Sequence, residues 1–116
     1  MDHQAVLVLE ADLIWSSKLS VVLKGLAIPF RVESRLPNDL SNYAVAIVSL
    51  GSRLVNPKIV IPALLNAKIP VIAHAGHKES ELLQLGKDLH ATQVVTNGSL
   101  ARSLPTILRQ FLQESL

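Results

Sequence analysis

Residues Ala44–Ser49 read AVAIVS, a run without a charge, mostly small or β-branched, and followed at once by Leu50-Gly51-Ser52. An apolar run of this length that never alternates with polar positions fits a strand buried on both faces of a parallel sheet, with helices covering either side. Such a strand lies in the middle of a fold. Open α/β sheets place their chemistry in the crevice beyond the carboxyl ends of their strands, so the residue that closes this run, Ser49, matters most for function.

Before the central run, Ala5–Leu9 (AVLVL) has strand length and ends in Glu10-Ala11-Asp12. Asp12 can cap a helix in which Leu13, Ile14, Leu19, Val22, Leu23 and Leu26 fall near helical spacing, with Gly25 as its stop. After Pro29, Phe30–Glu33 (FRVE) predicts a strand whose charges suit a sheet edge. The polar connection Ser34–Tyr43 has room for one short helix at most.

Beyond the central run, Asn56-Pro57 is a helix-start signal, and the helix runs to about Lys68 unless Pro62 delays its start. Pro70–Ala73 (PVIA) predicts a fourth strand, after which His74-Ala75-Gly76-His77 leads into a helix carrying Leu82, Leu83, Leu85 and Leu89. Thr92–Thr96 (TQVVT) predicts a fifth strand. Asn97-Gly98-Ser99 turns the chain into a last helix with Leu100, Leu104, Leu108, Phe111 and Leu112 on one stripe and Pro105 near its start. Strand and helix alternate throughout, which implies a five-stranded parallel sheet with right-handed crossovers and helices on both faces.

The 116 residues, 49% of them hydrophobic, suffice for one domain spanning 1–116 with a core that needs no disulfide or metal. There is no cysteine, so thiolate metal sites and cysteine nucleophiles are excluded. No stretch approaches the roughly 18 to 20 apolar residues of a membrane span, and the start MDHQ lacks a signal peptide's positive region, so no membrane partner and a cytoplasmic location are expected. The formal charge is only +2, basic residues are scattered and aromatics make up 3%, which argues against nucleic-acid binding.

In order and spacing, AVLVLEAD, LKGL, AVAIVS, IPVIAHAG and DLHATQVVTNG resemble a response-regulator receiver domain over almost the whole chain. The resemblance implies the flavodoxin-like order 2-1-3-4-5, here with a shortened second helix. It also implies positions for phosphoryl transfer. The paired acids that hold magnesium fall on Glu10 and Ala11, with Asp12 next, and the phosphoacceptor aspartate falls on Ser49. The Ser or Thr that contacts the phosphoryl group falls on Ala75, or on His74 after a slip of one, and the lysine falls on Asn97. Aspartyl phosphorylation needs a carboxylate nucleophile, a metal held by carboxylates and a cation for the developing charge. The chain therefore resembles a pseudo-receiver with no catalytic residue, metal or cofactor.

Other residues at the same edge offer weaker readings. His74 and His77, with Glu10 and Asp12, could converge on a transition metal, and Gly76 with neighbouring turns could present amides to an anion. Asp12 serves equally as a helix cap, and glycines are ordinary at such turns. Trp15 either covers the core edge or anchors a partner, and His3 and His90 are expected at the surface.

Two classes of function follow. The first is a phosphorylation-independent protein-interaction or signalling regulatory module, not an enzyme, whose partner is a signalling protein or a second copy forming a homodimer. Its docking face would come from Glu79–His90, Thr92–Thr96 and Ser99–Gln113, including Leu89, His90, Gln93, Leu104, Leu108 and Phe111, because the last helix carries more leucines than one buried stripe needs. The second is a small α/β ligand-binding protein or enzyme that uses the polar edge as an anion or metal pocket.

Overall fold

A computed structural model describes residues 5–112; His3 and Gln113 lie outside them. The apolar runs form β1 (Ala5–Leu9), β2 (Phe30–Glu33), β3 (Tyr43–Ser49), β4 (Val71–Ala75) and β5 (Gln93–Thr96), all parallel and ordered β2-β1-β3-β4-β5. Between and after them lie α1 (Leu13–Gly25), α2 (Pro57–Asn66), α3 (Ser80–Asp88) and α4 (Asn97–Arg109). This is the flavodoxin-like arrangement that the sequence implies.

Side-chain alternation splits the interior in two. Val6, Val8, Val45, Ile47 and Ile72 meet Leu19 and Leu23 of α1 and Leu100, Leu104, Ile107 and Leu108 of α4. On the opposite face Leu7, Leu9, Ala46, Val48, Val71 and Ala73 meet Val60, Ile61 and Leu64 of α2, with Leu82 and Leu83 of α3 packed alongside. Val45 to Val48 are fully buried, as a strand covered on both sides must be.

One expected element is missing. Residues 34–42 form no helix, so the second helix is absent rather than shortened, and the described residues hold four. Pro37 disfavours one, and Asp39 Oδ1 accepts the Ser41 amide at 2.9 Å and its hydroxyl at 2.6 Å, a local turn that competes with helical bonding. These bonds, the hydroxyl's first, hold the Asp39 carboxyl below its ordinary range. Leu36, Leu40 and Tyr43 lie against the core instead. The β2 residues on that face are Arg31 and Glu33, opposite Leu7 and Leu9, so little apolar surface there needs a helix.

The helices depart from expectation mainly at their ends. Leu13 and Ile14 are 80% and 68% exposed, because the first turn of α1 rises past the end of the sheet; Ser16, Leu19 and Leu23 form the buried side. Asn56 caps α2 at Lys58, and Pro62 sits inside this helix on its solvent side, where the carbonyl it leaves unbonded can meet water. In α4 the backbone departs from helical geometry at Ser103, two residues before Pro105.

Three helix ends are closed by residues other than glycine in the left-handed region. Ala27, Lys68 and His90 have φ of 57°, 64° and 66°. The amides that follow, of Ile28, Ile69 and Ala91, bond back to the carbonyls of Leu23, Leu64 and Gly86 at 2.9 to 3.0 Å. Each such residue carries a penalty of roughly 1–2 kcal/mol that glycine escapes, offset in part by glycine's greater unfolded-state entropy. Ala27→Gly and Lys68→Gly are expected to stabilise the fold by about 0.5–1 kcal/mol each, read as a higher urea midpoint at unchanged slope.

Candidate functional site

Alternation carries one polar row to the carboxyl rim. Glu10 continues the Val6, Val8 side of β1, Ser49 continues the Val45, Ile47 side of β3, and His74 continues the Ile72 side of β4. All therefore point towards α1 and α4. Ser49 and His74 are register partners, and the backbone is fixed on either side: Glu10 donates to the Glu33 carbonyl at 3.1 Å and Leu50 to the His74 carbonyl at 2.9 Å. The apolar run predicts a fourth strand ending at Ala73, with His74 in the turn that follows. The strand instead runs through Ala75, and His74 is buried inside it at 2% exposure.

His74 is the centre of a chain of contacts across the rim. Its Nδ1 lies 2.6 Å from Asn97 Oδ1, and because an amide oxygen only accepts, Nδ1 carries the hydrogen. Its Nε2 lies 3.3 Å from Glu10 Oε1, with both side chains 2% exposed. That contact has ion-pair distance but lacks hydrogen-bond alignment, and neither atom has another partner among the described residues. The other Glu10 oxygen, Oε2, accepts the Asp12 amide at 3.1 Å. Trp15 stands over this group, its ring centroid 6.0 Å from that of His74 and tilted by 52°, with Lys18 Nζ 4.9 Å from the Trp15 centroid.

The cleft at this rim, about 460 Å³, is lined by Glu10, Ala11, Asp12, Ser49, His74, Ala75 and Asn97, so every position assigned to the degenerate receiver pocket meets there. Its volume falls within the usual range of small-molecule sites. Trp15, Gly51, Ser52, Arg53, Leu54 and Glu79 also line it. Trp15, expected either to cover the core edge or to anchor a partner, is half-buried beside His74; Arg53 and Glu79 gave no signal, since each reaches the cleft from a loop.

The remaining sequence candidates behave differently. His77 is exposed and does not line the cleft, so the two histidines of the HxxH spacing do not converge. The described residues contain no cluster of three or more His, Asp or Glu arranged to hold a metal ion. The Gly76 amide donates to Glu79 Oε1 at 2.7 Å, so the turn offered as an anion site is engaged by a carboxylate of the chain itself. Asp12 Oδ1 accepts from Ile14 and Trp15 at 2.8 and 3.2 Å, and Thr96 Oγ1 from Ser99 at 3.2 Å, which satisfies amides at the starts of α1 and α4.

The expected docking face needs correction. Leu104 and Leu108 are fully buried, as is Leu100, because α4 packs on the sheet beside α1 and its leucines fill the core between them. Phe111 is partly buried against the same core and Leu89 against the other, Gln93 is half-buried, and His90 is an exposed helix end. The large apolar residues that do face solvent lie elsewhere: Leu13 and Ile14 beside Asp12, Val21 on α1, Val32 on β2, Leu54 on the cleft wall at 70%, and Ile59 at 64%.

No family model and no curated protein sequence matches this chain. Solved structures do. It is similar to the signal receiver domain of a modulated diguanylate cyclase from Desulfovibrio desulfuricans G20, with TM-score 0.73 and 15% identity over 97% of this chain and 95% of that one. It is similar to the receiver domain of a sensor histidine kinase from Pseudomonas aeruginosa PAO1, which has magnesium coordinated in its active-site cleft, with TM-score 0.73 and 13% identity over 93% and 96%. The chemotaxis protein CheY4 of Vibrio cholerae gives TM-score 0.72 and 14% identity over 94% and 98%. At these identities the likeness establishes the fold. In addition, no helix among the described residues is long and apolar enough to cross a membrane.

The buried pair sets a test of its own. Removing one partner of a buried pair typically costs about 3–5 kcal/mol, whereas replacing both by apolar groups is far milder. His74→Leu is expected to lower the urea unfolding free energy by about 3 kcal/mol, and adding Glu10→Leu to recover part of that loss.

Proposed function

We propose that this chain is a receiver-like regulatory module that works without phosphorylation, through contact with a protein partner, and is not an enzyme. The observation that supports it best is the Glu10–His74–Asn97 chain, which occupies the ground where a receiver carries out phosphoryl transfer. Ser49, at the acceptor position, has a hydroxyl and no carboxylate. Asn97, at the lysine position, has no charge and its amide oxygen faces His74.

Nor do the residues fit the magnesium ion that the fold family implies. Mg²⁺ wants near-octahedral oxygen ligands, several of them water, anchored by carboxylates. Ala11 offers none, Asp12 Oδ1 is engaged with two helix amides, and Glu10 faces His74 with one oxygen and the Asp12 amide with the other. Leu13, Ile14 and Leu54, by contrast, place exposed apolar surface beside the cleft mouth, which suits a protein partner docking over the rim.

With acetyl phosphate and Mg²⁺, intact-mass measurement is expected to show no phosphoryl adduct on the native chain, and Ser49→Asp alone is not expected to create one. A stoichiometric adduct on the native protein would overturn the reading. Leu13→Glu combined with Leu54→Glu is expected to abolish partner capture while changing stability by less than about 0.5 kcal/mol per site, since both side chains stand in water.

A further inference from the structure

β2 is an edge strand that, among the described residues, is bonded to β1 on one side only. The carbonyls of Pro29 and Glu33 accept from Val6 and Glu10, at 2.9 and 3.1 Å. Backbone groups alternate sides along a strand, so residues 29, 31 and 33 face β1 while Phe30 and Val32 direct their N–H and C=O groups away from the sheet. Val32 is 37% exposed, and the Arg31 and Glu33 side chains are 68% and 38% exposed on the face left without a helix.

We propose that a second copy of this chain pairs with β2 across this open edge, antiparallel, about a two-fold axis at Val32. That register sets Val32 opposite the partner's Val32 as a hydrogen-bonded pair, using groups that β1 does not use. It also sets Arg31 opposite the partner's Glu33, and Glu33 opposite the partner's Arg31, as non-hydrogen-bonded pairs, where side chains stand closest. The choice of occupant rests on this charge order. A positive and a negative residue two positions apart are self-complementary under a two-fold axis at the residue between them, as an isologous contact requires. Moving the axis one residue either way sets Arg31 against Arg31 or Glu33 against Glu33, and a parallel in-register pair sets like against like at both positions.

Charges on an edge strand commonly guard against such pairing, and guards of a single sign would repel a second copy in any register. Here the two signs attract in this register and repel in the two-fold registers one residue to either side. Within one chain Arg31 Nε lies 3.6 Å from Glu33 Oε2, so pairing would extend an existing contact into a network of four charges. The edge is short, so self-association is expected to be concentration-dependent rather than permanent. This inference concerns a different surface from the cleft and holds whether or not the rim is catalytically inert.

Sedimentation equilibrium of the intact chain up to ~1 mM decides it. The expected result is a monomer–dimer equilibrium that Val32→Pro abolishes, because proline removes an N–H that only the dimer uses. Arg31→Glu is expected to weaken association by roughly tenfold or more, since it turns two attractive pairs repulsive. Adding Glu33→Arg restores self-complementarity with the signs exchanged, and association is expected to return. A monomer throughout the range overturns the proposal. So does a dimer whose association constant is unmoved by Arg31→Glu, a measurement that stands even if the proline variant fails to fold.

Discussion

Burial of the sheet on both faces is the constraint from which the other features follow. A strand with helices on either side can carry charge only where it emerges from between them, and β3 is fully buried from Val45 to Val48 before it reaches Ser49. Polar side chains are therefore driven to the carboxyl rim, and alternation decides which of them meet. Glu10, Ser49 and His74 share a row because each continues the side that faces α1 and α4.

That row is built from the chain's own side chains. An imidazole lies there between a carboxyl group and an amide, bonded to the amide and at ion-pair distance from the carboxyl group. The energetic demand is high, because Glu10 and His74 are both buried and loss of either would leave the other facing no partner. Helix caps add to this self-sufficiency, with Asp12 and Thr96 accepting amides at the starts of α1 and α4, and Glu79 accepts the Gly76 amide in the turn after β4.

Much of this was legible in the sequence, and what was not has identifiable physical reasons. Apolar runs gave the strands because a parallel sheet tolerates little else. Their order and the pocket positions came from the resemblance to receiver domains. His74 was misplaced because an apolar-run criterion stops at the first polar residue, although counting alternate positions from Ile72 places it on the Glu10 side. Leu104 and Leu108 looked surplus because a helix packed against both a sheet and another helix buries a wider stripe than one packed on a single surface. The turns at Ala27, Lys68 and His90 carry no glycine signal, and the hydrophobic residue or alanine that follows each one closes the helix instead.

Trp15 is the only tryptophan in the chain, and it sits against His74 at one extremity of the sheet. Indole emission responds to its immediate surroundings, so the molecule holds a native optical reporter confined to the end where the buried polar row lies. Loosening of that end registers in fluorescence even while circular dichroism, which averages over every helix, stays constant. A comparison of the two signals thus separates local opening from global unfolding without any added label.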